Sequence, residues 1–483
     1  MRRVEAPRRR WAALGLGLAL IGLGVPALAH RPAAGQPGDE ALAFRALLPL
    51  AAKAGDVALF PQPLPVTPVS PTVPPPSATP LPPSPEPTDR PCPPLAERLR
   101  ITSNTVAGPL RANDEYFPLP VAPRPGGGAL VAWREQTALK VRVGTFDSAD
   151  QLVGTPWSFD AEEVHGLVAH AEGGALAVVE NDRDIYSAKY CRGPSTPDKA
   201  LCAKLDVWRF DDRGQTTWRT TVTGKKNVDS DGAHFVWWYQ HTARLLWTGS
   251  EYGLYYRSAD SSPRPGTPGE IDIHAADAFR ILDGKGQVQP SAWSWGCSHS
   301  WAVRLAFNGH FGSACHGDGY PNAFHVNVLD RDQHLGDVAL HANLDPTKRA
   351  LGGLVPTPDG FWLLHMAQAA TMQLHLAFID NAGKVSADQT LAYATGLPTQ
   401  YPFRAYLAEY GKDQMLAGWY SGSQLQLAVL DRATGELVTG PVGVPARIDH
   451  WNEFVPDPNG DVVWAWSPGN VAKLDLVRVA ACR

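Results

Sequence analysis

The chain has 483 residues, with 43 Lys plus Arg set against 48 Asp plus Glu, for a formal net charge of −5. Apart from the first ten residues there is no basic cluster, and the net sign is acidic. A surface that neutralises nucleic-acid phosphates is therefore excluded.

The chain opens on Arg2, Arg3 and Arg8 to Arg10, then an apolar run from Trp11 to Val25, then Ala27-Leu28-Ala29. A basic stretch, a short apolar core and a small-x-small site together predict a signal peptide over 1–29. The apolar core is too short to span a bilayer stably. No transmembrane segment is expected after cleavage, so the mature chain should be secreted, periplasmic or held at the cell surface. Residues 30–60 form a short Ala/Leu-rich segment. Between Pro61 and Pro94 there are sixteen prolines among Ser, Thr and Val. Such a stretch cannot bury a core and favours extended polyproline II geometry, so 61–95 reads as a disordered, Pro-rich linker. The folded domain is expected over 96–483.

Within that domain one phrase recurs seven times: an apolar strand, a Gly-centred turn, and a second apolar or aromatic strand. The turns centre on Gly128, Gly174, Gly249, Gly309, Gly360, Gly411 and Gly460, with spacings of 46, 75, 60, 51, 51 and 49 residues. Strands such as Ala-Leu-Val-Ala-Trp133 and Val-Val-Trp-Ala-Trp466 leave them. A second marker runs in phase: Phe146-Asp147, Phe210-Asp211, Leu282-Asp283, Leu329-Asp330, Ile379-Asp380 and Leu430-Asp431. Asp bonds its own backbone in tight turns and Gly tolerates positive φ, so each repeat holds two hairpins and four strands. A period near fifty built from short strands predicts an all-β, seven-bladed β-propeller, with six or eight blades as the neighbouring counts. The seventh repeat lacks the Asp hairpin. Closing the ring without an exposed edge then requires a strand from the start of the domain, and Arg98 to Val106 is the candidate.

Six cysteines in an exported chain predict disulfides. Cys191 and Cys202 share one insertion, Cys297 and Cys315 flank one hairpin, and Cys92 and Cys482 flank the two ends that must meet. The expected pairs are Cys92–Cys482, Cys191–Cys202 and Cys297–Cys315.

Polar and aromatic residues crowd into repeats three and four. Asn227-Val-Asp229-Ser-Asp231-Gly is the opening half of a calcium loop, but Trp238 stands where the bidentate Glu belongs. The same pattern serves as an ordinary turn. Calcium is the ion it would take; no other cofactor is expected. Trp238, His241 and Arg244 follow. Asp272 and His274 alternate on one strand face, which suits a metal pair, an acid–base pair or a solvated edge. His299, Arg304, His316, Asp318 and Tyr320 surround the Cys297–Cys315 pair and form the strongest ligand-site candidate. The competing reading is that these His and aromatic residues line the channel and the seams between blades.

Gly-x-Ser-x-Gly, His-Glu-x-x-His and a P-loop are all missing. Asp431-Arg-Ala-Thr434-Gly435 is similar to a turn of quinone-cofactor propellers and Asp211-Asp-Arg-Gly214 with Trp218 is a looser echo, yet the other repeats lack it. On the seven Gly turns and the Asp hairpins, residues 100–483 resemble secreted bacterial β-propeller repeat proteins. That resemblance specifies architecture and carries no catalytic residue. The expected function is an extracellular or cell-surface binding module, acting as a monomer, with a carbohydrate, a cell-wall fragment or a cell-surface protein as partner. Two alternatives remain. One is a glycan hydrolase or lyase, which needs two facing carboxylates such as Glu270, Asp272 or Asp318. The other is a ligand-free interaction scaffold with a filled channel.

Overall fold

The computed structural model describes residues 92–112, 117–181, 203–225, 233–236, 242–267, 270–290, 297, 300, 302–317, 321–331, 333–399 and 404–482. The predicted signal peptide, most of the Pro-rich linker and the Cys191–Cys202 insertion lie outside these residues. Among the described residues no helix is long and apolar enough to cross a membrane.

The repeats fold into seven antiparallel sheets, the blades of a β-propeller. Blade 5 shows the plan. Arg349–Thr357 lies innermost, followed outward by Gly360–Gln368, Met372–Asp380 and Val385–Thr390. Each innermost strand packs against the next around a central channel. That of blade 7, Val455–Pro456, meets that of blade 1, Val121–Pro123, which closes the ring. The second strand of each blade sits in the middle of the layer; in blade 5 it is almost wholly apolar and is buried from Gly360 to Ala367. Trp133, Trp208, Trp419 and Trp464 are fully buried between blades, where flat, rigid side chains fill the wedge-shaped gaps.

Every predicted Gly turn joins the first and second strands of a blade. Gly128 and Gly460 take positive φ, 72° and 85°, where L-residues are strained. The predicted Asp markers sit in the hairpins between third and fourth strands. Asp431 Oδ1 accepts from the Ala433 and Thr434 N–H groups at 2.9 and 2.8 Å. Asp147, Asp211, Asp283 and Asp380 each accept from the N–H groups two and four residues on. Asp330 departs from the pattern, because its turn is shorter and it pairs directly with Gln333. Both kinds of hairpin open on one face of the ring. The second-to-third hairpins and the connections between blades open on the other, here called the entry face.

Closure follows the expected route. Leu99–Thr105 pairs with Lys473–Val479 along its whole length, Leu99 facing Val479 and Thr105 facing Lys473. A disulfide joins Cys92 to Cys482 across the same seam, with their Cα atoms 5.8 Å apart. A buried ion cluster joins blade 7 to blade 1: Arg478 on the third strand of blade 7 reaches Asp150 of blade 1 at 2.8 Å and Asp461 at 3.3 Å, and also bonds Asp457. Burial pulls the Arg478 guanidinium down, but Asp150 and Asp457 outweigh it and hold its pKa above the ordinary value.

Candidate functional site

Blade 3 carries the largest departure from the plan. Its second and third strands, Glu251–Pro263 and Ile271–Asp283, are each thirteen residues long. The first strand, Ala243–Trp247, reaches only to Tyr256, so the hairpin runs on about 20 Å past it on the entry face. Asp272 and His274 lie on this extension and are both exposed, opposite Ser262 and Asp260. Arg264 at the tip binds Asp272 at 2.7 Å and Glu270 at 2.6 Å. Two of the carboxylates proposed for hydrolysis are thus spent on one exposed guanidinium instead of facing each other across a cleft.

Arg244 and Arg304 go elsewhere. Each sits near the start of an innermost strand, in blades 3 and 4, and both are buried. Glu453, just before the innermost strand of blade 7, joins them: its Oε2 lies 2.9 Å from Arg244 Nε and its Oε1 lies 3.1 Å from Arg304 Nε. Arg244 Nη2 also donates to the Trp451 carbonyl at 3.1 Å, and Arg304 Nη1 donates to the Val303 carbonyl at 2.8 Å. Burial lowers the Arg304 pKa to about 10; Glu453 opposes that and Arg244 adds to it. This triad stands between two adjoining channel cavities of about 350 and 400 Å³, which share Leu246, Leu305, Glu453, Val455 and Pro456.

The disulfide Cys297–Cys315 ties the connection entering blade 4 to that blade's second strand, Phe311–His316. Beneath it lies Asp277, fully buried, with the Tyr255 hydroxyl donating to its carboxylate. Burial pushes the Asp277 pKa up to about 7, against the Tyr255 bond. His316 is buried against Phe324, its ring centroid 5.2 Å away, and burial with Arg349 nearby holds its pKa well below the ordinary value. Trp238, His241, His299, Asp318 and Tyr320 lie outside the described residues, as do Asn227, Asp229 and Asp231 of the calcium-like segment.

Two further features of the entry face carry no sequence motif. Between blades 6 and 7 runs a groove of about 530 Å³ whose walls include Arg404, Tyr420, Arg447 and Trp466. The Arg404 guanidinium stands over the Tyr420 ring and the Arg447 guanidinium over Trp466, each 5.5 Å from the centroid. Tyr420 fixes the wall. Its hydroxyl donates to the Ile448 carbonyl at 3.1 Å and accepts from the Ile448 N–H at 3.0 Å.

At the seam of blades 4 and 5, His341, His365 and His375 surround Asp388. Their ring nitrogens lie 3.9, 3.8 and 3.7 Å from its carboxylate. His365 and His375 face each other across adjacent strands and stack with ring planes 4° apart. His341, directly after the last strand of blade 4, takes φ 51°, a left-handed conformation uncommon outside glycine. The His375 imidazole, more than the others, holds the Asp388 carboxyl below its usual range. Burial lowers the His341 pKa and lowers His365 further.

No protein-family model and no curated protein matches the sequence. Solved propellers match over most of the chain at low identity. The Neurospora crassa Pan2 WD40 domain is 12% identical, covering 79% of this chain and 96% of its own, with a TM-score of 0.39. Kuenenia stuttgartiensis hydrazine synthase is 13% identical, covering 76% and 96%, with a TM-score of 0.46. The fucose-recognising lectin of Aleuria aurantia, a six-bladed propeller, is 14% identical, covering 70% and 97%, with a TM-score of 0.33. At these values the matches bear on no site.

Proposed function

We propose that the chain is an exported binding propeller that holds a carbohydrate bearing carboxylate groups in the groove between blades 6 and 7. The observation that carries this reading is the pairing of Arg404 with Tyr420 and of Arg447 with Trp466 along that groove. Aromatic walls offer flat apolar area to a pyranose ring, while guanidinium forks bond carboxylates and hydroxyls in a fixed plane. The hydroxyl bonds of Tyr420 hold one wall in place before a ligand arrives, which limits the ordering cost of binding. Export is supported by the basic, apolar and Ala-x-Ala segments of residues 1–29 and by the disulfides of the folded domain. The Pro-rich segment 61–95 would then act as a spacer between the propeller and whatever the amino terminus reaches.

The test is a glycan array carrying acidic and neutral sugars, followed by calorimetry of the best binder. Binding should favour uronate-containing glycans, and Trp466→Ala or Arg447→Ala should weaken it at least tenfold with little loss of thermal stability. No binding to any glycan, beside a stoichiometric protein partner in a pull-down, would overturn the reading.

A further inference from the structure

The seam of blades 4 and 5 holds a cluster that hydrogen bonding does not explain. Three imidazoles converge on Asp388, yet the paired nitrogen of each ring stands 3.7 to 3.9 Å from its oxygens, beyond hydrogen-bond reach. His365 is fully buried, and both of its ring nitrogens are without a hydrogen-bond partner. A buried polar group left unsatisfied is costly and rare in native proteins. The His341 Nε2 atom is buried and likewise has no hydrogen-bond partner. His375 has a second neighbour, Thr390, whose hydroxyl lies 3.5 Å from Nδ1.

We infer that His341, His375 and Asp388, with His365 as a fourth ligand, bind a divalent first-row transition ion such as zinc. The donor set is what such ions select: imidazole nitrogens with one carboxylate, in place of the all-oxygen shell of calcium or magnesium. One donor atom from each of His341, His375 and Asp388 falls within a mutual 4.8 Å. A tetrahedral ion with bonds of 2.0–2.1 Å separates its donors by about 3.3 Å, so the imidazole–carboxylate distances need to shorten by roughly half an ångström and the widest donor pair by up to about 1.5 Å, with His365 swinging in to join them. Arg349, whose charge reaches His341, is engaged by the Gly317 carbonyl at 2.7 Å and by Asn322.

The site is placed to join two blades. His365, His375 and Asp388 come from three successive strands of blade 5, whereas His341 comes from the exit of blade 4. An ion held by all four would pin that connection to its neighbour. It would also have a route in, because His341 and His375 line an open surface cavity of about 430 Å³ together with Asn343, Gln368 and Gln373. The site lies two blades from the glycan groove and stands or falls separately from it.

The experiment uses the mature chain, stripped with a chelator and titrated with zinc and with cobalt(II). The expected result is one equivalent bound, a raised melting temperature, and a cobalt(II) visible spectrum of tetrahedral nitrogen–oxygen ligation. His375→Ala and Asp388→Asn should each weaken zinc binding at least tenfold. Should the variant at buried His375 fail to fold, Asp388→Asn, at an exposed position, and His341→Ala, at a partly exposed loop position, should weaken binding while leaving the fold intact. No zinc uptake by the stripped chain would overturn the inference. So would uptake whose affinity is unchanged in both His341→Ala and Asp388→Asn.

Discussion

Glu453 Oε1 meets Arg304 Nε at 3.1 Å, and the other oxygen of the same carboxylate holds Arg244 at 2.9 Å, so one anion serves two buried cations from different blades. Removing one partner of a buried pair costs more than the pair contributes, because the remaining charge stays desolvated. Glu453→Gln should therefore destabilise the domain by about 2–4 kcal/mol, read from denaturant midpoints at constant m-value. Adding Arg304→Met to that variant should recover part of the loss. A change within about 0.5 kcal/mol for Glu453→Gln, the usual range for surface sites, would mean that water already screens the triad.

The Arg478 cluster gives a sharper version of the same argument. Arg478→Met removes a shared cation from Asp150, Asp457 and Asp461, and leaves the fully buried Asp150 with Arg100, itself about half exposed, as its remaining cation. The expected loss is about 3–5 kcal/mol, with hydrogen exchange rising first along Leu99–Thr105. Uniform exchange across all blades would show that the cluster does not hold the closure.

The two described disulfides close loops of very different size, with sequence separations of 390 and 18. On the chain-entropy model they contribute about 6 and about 3 kcal/mol. Cys482→Ser should lower the melting temperature more than Cys315→Ser. The reverse order would show that the short bridge acts through native packing around Asp277 and not through the unfolded chain.

Asp277 sets a pH dependence. Its folded pKa of about 7 lies above the unfolded value near 3.9, since burial favours the neutral acid. Its contribution is therefore fully present below about pH 4, declines between about pH 4 and 7, and is lost above. Asp277→Asn keeps the neutral form at every pH. Relative to the parent it should gain about 2–4 kcal/mol between pH 4 and pH 8 in urea titrations. A difference that stays flat across that range would place the titration elsewhere.

The architecture was readable because a propeller repeats its turn chemistry. Gly turns and Asp hairpins recur at a fixed period whatever the packing does, and they predicted both hairpins of a blade and the strand that closes the ring. The site was far less readable. Arg244 and Arg304 could be named from their polar surroundings, but Glu453 sits in a connection without a motif. Only the ring brings it to them, 149 positions beyond Arg304. The imidazole cluster was missed because its members are scattered over 341 to 388 on separate strands. One signal was present: His365 and His375 are equidistant from the tip of the Ala369–Thr371 hairpin, so antiparallel register places them side by side. Alternation placed Asp272 and His274 on one face, but nothing local revealed that their hairpin runs on past the first strand of its blade, where Ala233–Phe235 pairs with it instead.

The pairing of Leu99–Thr105 with Lys473–Val479 also fixes an order of events. The first strand of the domain to leave the ribosome is the last to find its partner, and its mates lie close to 380 residues away. Until they arrive, the nascent chain carries an uncovered apolar face on blade 1 and a lone strand with nothing to pair. Such high contact order makes the final step slow and exposes edges that invite pairing with other chains. A product terminated before Lys473 would lose more than a tail: it could not complete the ring, and blade 7 would be left with only its two inner strands.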